Sequence, residues 1–126
     1  SGHSNSQLML SMDWMATILG ITNLSDKPNR QLDGLNLNEV LLGRKKPLER
    51  TVMWNDNTLR SGKWKLMLPQ KGIKETLLFD LSKDPSESKN LAEDLPAVVE
   101  LLTADLLDMA NDARAKATKQ PTEAPE

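Results

Sequence analysis

The sequence contains no cysteine. Disulfide bridges, thiolate metal sites and cysteine nucleophiles are therefore excluded from these 126 residues. Its one histidine is His3, in a polar N-terminal stretch, which leaves no set of residues for histidine acid–base chemistry or a multi-histidine metal site. There is no tyrosine, and Trp14, Trp54, Trp64 and Phe79 are the whole aromatic complement. These are too few and too spread out to build a stacking platform for bases or sugars, and their spacing suggests core use. Charge of one sign is also missing: 16 basic residues against 18 acidic ones give a net charge of −2. A nucleic-acid or anionic-membrane footprint needs a clustered basic excess, so neither is expected. No apolar run approaches the roughly 20 residues that span a bilayer. Motifs of the G-x-S-x-G, Walker A or H-E-x-x-H type are absent, and no internal repeat is visible.

What is present is enough chain for about one domain, able to bury roughly two-thirds of its unfolded surface. Residues 1–7 are polar, have no basic region followed by an apolar one, and read as a vector-derived scar or flexible lead rather than a signal peptide. Over residues 8–21, apolar side chains at 8, 12, 15, 18 and 19 predict a short amphipathic helix, with Ser11 as N-cap and Gly20 as its end. Residues 23–30 read as loop. Asp33-Gly34 is a turn, and Asn36 or Asn38 can cap one or two helical turns ending at Gly43. Residues 44–50 are a charged connector expected to be solvated.

A β region follows. Residues 51–54 are β-branched and apolar, Asn55-Asp56-Asn57 is turn chemistry, and residues 58–60 form a second strand. Ser61-Gly62 reads as a two-residue hairpin link. In residues 63–68 a period of two sets Trp64, Leu66 and Leu68 on one face and the lysines on the other. Residues 69–75 are a loop and residues 76–81 another strand. Trp54 and Trp64 are expected to pair in the core beneath the final helix. That helix has Asp94 as its cap and Pro96 in its first turn. Its apolar positions Leu95, Val98, Val99, Leu102, Leu106, Met109, Ala110 and Ala113 follow helical spacing to about residue 115. Residues 117–126 look like a disordered tail. The predicted fold is α+β: a small antiparallel sheet of about four strands packed by a long C-terminal helix, with a short N-terminal helix.

Several residues invite a functional reading. Asp80, Asp84 and Glu87 cluster around Pro85, but calcium needs six or more oxygens and the EF-hand spacing is missing. Their oxygens are better placed to satisfy turn N–H groups. Arg60, Lys63 and Lys65 could gather an anion, although cross-strand pairing with acids is the commoner outcome. The six methionines are scattered and read as packing. Lys71 and Lys74 flank Gly72 in a loop with nothing that demands burial, and loops on a rigid scaffold are where binding residues tend to lie.

Three blocks, in order, resemble the sulfatases. Residues 11–21, SMDWMATILGI, resemble that family's D-x-x-P-T-x-l-x-l-a-G-i helix, with Thr17 kept and Ala16 where proline is usual. Residues 32–43, LDGLNLNEVLLG, resemble its l-D-G-x-s-l-x-p-l-l-x-G segment. LRSGKWKLML at 59–68, with LLFDLSKDPSESKNLAEDLP at 77–96, is the most specific block and resembles R-x-G-k-W-K-l followed by L-y-D-L-x-x-D-P-x-E-x-x-N-L-A. The resemblance spans about residues 10–109. It implies the C-terminal subdomain, placed at residues 8–116, of an arylsulfatase-like enzyme of the alkaline-phosphatase superfamily. Such a parent hydrolyses sulfate esters with a formylglycine made from Cys or Ser in a C-x-P-S-R motif, beside a calcium ion held by Asp and Asn. Those motifs are absent from this sequence, so the resemblance carries no catalytic or metal residue over to it. It implies a catalytic domain of the same protein as partner, a sulfated substrate, and periplasmic or secreted location for the parent. By the same analogy Asn55, Asp56, Asn57, Lys71 and Lys74 face the substrate. Two other readings stay open: the tail of a related phosphonate or phosphate-ester hydrolase, and a free-standing interaction module with the apolar face of the first helix as its docking surface. In the sulfatase reading that helix carries apolar surface which the catalytic domain covers, and weak self-association is expected without it.

Overall fold

The computed structural model describes residues 4–22 and 32–119, with side chains described through residue 116. His3, the loop predicted at 23–30 and the tail from residue 120 lie outside the described residues. The chain divides into two compact units, Ser1–Glu49 and Arg50–Glu126.

The first unit holds α1 (Asp13–Thr22) and α2 (Asn38–Leu41). The amphipathic helix predicted over residues 8–21 is present, but with its faces exchanged. Asp13, Ala16 and Thr17 are buried, while Met12, Trp14, Met15, Ile18 and Ile21 are exposed. Hydrogen bonding explains the choice. The Asp13 carboxylate accepts the Leu10 N–H at 2.7 Å and the Leu35 N–H at 2.8 Å. Thr17 Oγ1 accepts the Leu37 N–H at 3.1 Å and donates to the Leu35 carbonyl at 3.4 Å. Two side chains one helical turn apart thus satisfy the backbone of the segment that returns from α1 to α2. Asp13 also replaces the expected Ser11 cap. Three residues after Leu10, it reaches back to the Leu10 N–H as the acid of a capping box does.

Close approach fixes the two glycines of this unit that matter. A Cβ on Gly34 would overlap the Met12 carbonyl, and one on Gly20 would overlap the Asn36 side chain. Gly20 therefore does not end α1, which runs on to Thr22. α2 has no side-chain cap at Leu37, although the Asn38 N–H donates to Asn36 Oδ1. Gly43, the predicted stop, closes it two residues past Leu41 with a φ of 71°. The Gly43 N–H bonds to the Val40 carbonyl and the Arg44 N–H to the Glu39 carbonyl, the paired closure of a Schellman motif. Residues 5 and 7, read as a lead, are tied in. The Asn5 amide donates to the Val40 carbonyl, and the Leu48 N–H donates to Gln7 Oε1. The connector at 44–49 is exposed as expected.

The second unit is an antiparallel meander in the order β1-β2-β3-β4: β1 (Thr51–Trp54), β2 (Thr58–Ser61), β3 (Trp64–Met67) and β4 (Leu77–Asp80), followed by α3 (Pro96–Lys119). Register places Met53 opposite Leu59, Leu59 opposite Leu66, and Leu66 opposite Leu78. With a side-chain period of two, these residues share one face. Leu59, Leu66 and Leu78 form the buried core with Leu102 and Leu106 of α3, and Trp64, Leu68, Val98, Val99 and Met109 pack around it. The other face carries Val52 and Phe79, both buried.

Three sequence expectations need correction here. Trp54 and Trp64 do not pair, because β2 lies between their strands. Since Met53 faces the core, its neighbour Trp54 faces away and is 38% exposed. Ser61 belongs to β2, so the hairpin link is Gly62-Lys63, with Gly62 at a φ of 53°. α3 begins at Pro96, which puts Leu95 rather than Asp94 at the cap, and it continues to Lys119; Ala113 is exposed.

Two measurements check this packing. Leu106 has no accessible surface, so Leu106→Ala should cost about 2–5 kcal/mol in urea unfolding; an unchanged midpoint would remove it from the core. Asp13→Ala removes the acceptor of the part-buried Leu10 and Leu35 N–H groups, at about 0.5–1.5 kcal/mol for each bond. Hydrogen exchange across α1 should then quicken well before exchange in α3 does.

Candidate functional site

The residues singled out in the sequence fall into two places on the sheet unit. The first is the sheet end formed by the β1–β2 turn and residues 69–75. Asn55 and Asp56 both take positive φ, 51° and 57°, a conformation that Asn and Asp tolerate better than most residues. The Asn57 N–H closes the turn on the Trp54 carbonyl. Asn57 then joins the second loop: its carbonyl accepts the Leu68 N–H at 2.8 Å, and its amide donates to Gln70 Oε1. That loop is itself a small hairpin, with Gln70 and Ile73 exchanging two backbone hydrogen bonds of 2.9 Å around Lys71 and Gly72. The two loops read separately in the sequence therefore adjoin.

Within this pair some candidates are committed and others are not. Asp56 pairs with Arg114 of α3 at 3.0 Å. Asn57 is held by Gln70 and accepts from Thr58. Asn55, Lys71 and Lys74 are exposed. Gln70 and Arg114, which brace the loops, were missed in the sequence. No sequence signal marked Gln70, because the register that sets Thr58 opposite Met67 depends on the hairpin link at Gly62-Lys63, which the structure alone shows.

The second place is the acidic turn after β4. Asp84 accepts the Lys89 N–H at 2.8 Å and the hydroxyls of Ser86 and Ser88 at 2.9 Å. Asp80 accepts both the N–H and the hydroxyl of Ser82 and pairs with Lys63 at 3.2 Å. Glu87, at a φ of 56°, pairs with Lys65 at 2.7 Å. Asn90 fastens the segment to the sheet, accepting the Leu78 N–H and donating to the Thr76 carbonyl. This cluster is a folded turn, as expected. Of the basic trio, Arg60 stands opposite Lys65 across β2 and β3, but Lys63 and Lys65 are each paired with an acid, and Arg60 has no bond to Nε although that atom is buried.

These hydrogen bonds hold two carboxyl groups below the ordinary value of 3.8. For Asp80 the largest cause is the Ser82 hydroxyl, and for Asp84 the Lys89 backbone N–H. As pH falls, the unfolded chain takes up these protons before the folded chain does. The stability they contribute is complete above the unfolded carboxyl value of about 3.9 and is lost as pH falls through the lowered folded values. The urea midpoint should therefore be level above about pH 5 and drop below about pH 4, with a shallower drop in Asp84→Ala. Equal acid sensitivity in the variant would show that this turn contributes nothing.

No family model matches the chain, and no curated protein does. Solved structures do. A Bacteroides thetaiotaomicron protein described as BT33336S-sulf, solved in work on the metabolism of multiple glycosaminoglycans, is 25% identical with a TM-score of 0.58, over 78% of this chain and 24% of that one. YidJ of Bacteroides fragilis, described as a sulfatase, is 22% identical with a TM-score of 0.55, over 82% of this chain and 25% of that one. The chain has the fold of part of a sulfatase. A third structure, Ps i-CgsB, has the same fold at 16% identity and a TM-score of 0.61, over 82% of this chain and 24% of that one.

The chain thus spans about a quarter of the length of the sulfatases it matches. The sequence holds no C-x-P-S-R motif. Among its described residues no group of three or more His, Asp or Glu could hold a metal ion. The calcium that the resemblance implies for the parent has no fitting ligand set among these described residues. No described helix is long and apolar enough to cross a membrane.

Proposed function

We propose that the chain is the C-terminal subdomain of a sulfatase and contributes to the choice of substrate without performing hydrolysis. The observation that carries this reading is the match of 78% of the chain, at 25% identity, to about a quarter of a solved protein of that kind. Calcium and the formylglycine belong to the remainder of such a protein, where the sulfate ester would be cleaved. The subdomain supplies a rigid sheet and two braced loops. Gln70 and Arg114 hold the Asn57 and Asp56 side chains, and Asn55, Lys71 and Lys74 project from the loops toward a sulfated substrate. Lysines suit that task, because an exposed ammonium adds long-range attraction for a sulfate as well as a local contact.

The helix α1 supports a missing partner domain. Trp14, Met15, Ile18 and Ile21 are 55%, 59%, 50% and 56% exposed. At positions i, i+1, i+4 and i+7 they make one continuous stripe. The buried side of the helix is taken by Asp13, Ala16 and Thr17. An apolar stripe of this kind marks an interface, and the covering surface in this reading is the catalytic part of the sulfatase. Without it, weak self-association through α1 is expected.

The full-length gene tests the reading directly. A C-x-P-S-R or S-x-P-S-R motif upstream supports it, and a different nucleophile in that place would make the parent a phosphate- or phosphonate-ester hydrolase instead. In the full-length enzyme, Lys71→Ala with Lys74→Ala should raise KM severalfold for a charged substrate and leave kcat nearly unchanged, the pattern of lost uniform binding. Sedimentation of the chain alone should show reversible self-association that Trp14→Ser with Ile18→Ser abolishes. A strictly monomeric chain would count against the missing partner.

A further inference from the structure

On the sheet face turned away from α3, strand register sets four side chains in a row. Val52 stands opposite Arg60, Arg60 opposite Lys65, and Lys65 opposite Phe79. Trp54 and Thr58 are the next cross-strand pair on the same face. Trp54 is therefore the diagonal neighbour of Arg60, at a spacing of about 7–8 Å that long side chains bridge. Burial along this face is uneven. Val52, Thr58 and Phe79 are buried, Arg60 is half-buried, and Trp54 is 38% exposed.

The row places two cations directly opposite each other, an arrangement that is destabilising in itself. One carboxylate answers them. Glu87 is committed to Lys65 through both oxygens, at 2.7 and 2.8 Å. Arg60 makes no ion pair or hydrogen bond among the described residues, and its Nε is buried. Only one other buried side-chain atom among the described residues, Asn38 Oδ1, lacks a bond in the same way. A buried donor left unbonded costs about 1–3 kcal/mol, and more on a charged group. The group that relieves this cost best is a carboxylate, whose two oxygens match two parallel N–H donors of a guanidinium.

Trp54 narrows the choice of partner. A free small anion would neutralise Arg60 and leave the neighbouring indole in solvent. An acidic side chain carried on a protein surface can cover both, and Trp and Arg are the residue types that most often anchor such interfaces. The chain spans about a quarter of the sulfatases it matches, so a surface of this kind is available on the rest of the same polypeptide. We propose that Arg60 and Trp54 anchor an intramolecular interface: an aspartate or glutamate from outside these 126 residues binds the Arg60 guanidinium, and an apolar side chain beside it covers Trp54. The inference rests on the reading of the chain as part of a larger protein. It adds a charged contact on the sheet unit, whereas the apolar stripe of α1 belongs to the first unit.

The test makes Arg60→Met in the 126-residue chain and in the full-length protein. Methionine keeps the apolar stem and removes the charge. In the chain alone Arg60 has no carboxylate to lose, so the melting temperature should stay level or rise. In the full-length protein the substitution strands the partner carboxylate, and hydrogen exchange of residues 51–61 should quicken at least about tenfold. The segment outside the chain that quickens with them carries the carboxylate. Arg60→Lys keeps the charge and loses the planar fork, and should fall between wild type and Arg60→Met. Trp54→Ala should quicken the same exchange in the full-length protein and not in the chain alone. A lowered melting temperature of the Arg60→Met chain would show that Arg60 is engaged within it and would overturn the proposal. Unchanged exchange in the full-length Arg60→Met protein would also overturn it, and Arg60→Lys equal to wild type would overturn the carboxylate fork. These readouts involve no hydrolysis. Their failure leaves the sulfatase reading standing, and a parent with a different nucleophile leaves the interface standing.

Discussion

Leu59, Leu66 and Leu78 stand directly opposite one another across three strands and close against Leu102 and Leu106 of α3. The rest of the sheet unit depends on this seam. It sets the register of the meander, because a slip of one residue would turn all three leucines to the other face. It fixes which edge of α3 points inward. It also sends both loops of the candidate substrate-facing site to the same end of the sheet, since the β1–β2 turn and the segment after β3 both leave the strands there. Functional geometry in this chain is therefore a consequence of leucine packing.

The acidic residues show how chemistry-bearing side chains can be absorbed by the fold. Asp13, Asp80 and Asp84 each accept several hydrogen bonds from the chain around them. A carboxylate in such a position saves several N–H groups from being stranded, which is worth more to a small fold than a free acid would be. At Asp80 and Asp84 these bonds stabilise the ionised form. The cations fare differently. Lys63 and Lys65 are consumed by acids, while Arg60, Lys71 and Lys74 are not, and it is on these that the proposals about binding rest.

The two units also differ in how they treat their apolar residues. The sheet unit buries Leu59, Leu66 and Leu78 against Leu102 and Leu106 of its own helix. In the first unit Leu37 and Val40 are buried, but α1 itself buries Asp13, Ala16 and Thr17 and leaves Trp14, Met15, Ile18 and Ile21 exposed. Burying a threonine and an aspartate is favourable only when every polar group is satisfied, and here the returning backbone at residues 35 and 37 does so. The result is a helix whose hydrophobic stripe is left for something else to cover.

Much of the architecture was legible in the sequence because it depends on local periodicity. Alternation in residues 63–68 gave the inward face of β3, helical spacing gave the buried edge of α3, and Asp84-Pro85 gave the acidic turn. The ordered blocks around Asp13, Asp33 and Arg60 gave the resemblance to sulfatases. What periodicity cannot encode is which partner an apolar or polar stripe will meet. The inward side of α1, the separation of Trp54 from Trp64, the bracing of the two loops by Gln70 and Arg114, and the pairing of Lys65 with Glu87 beside an unbonded Arg60 all arise from residues distant in sequence. Only the tertiary structure decided these, because hydrogen-bond satisfaction and strand order act between segments, whereas the sequence by itself determined what each segment could become.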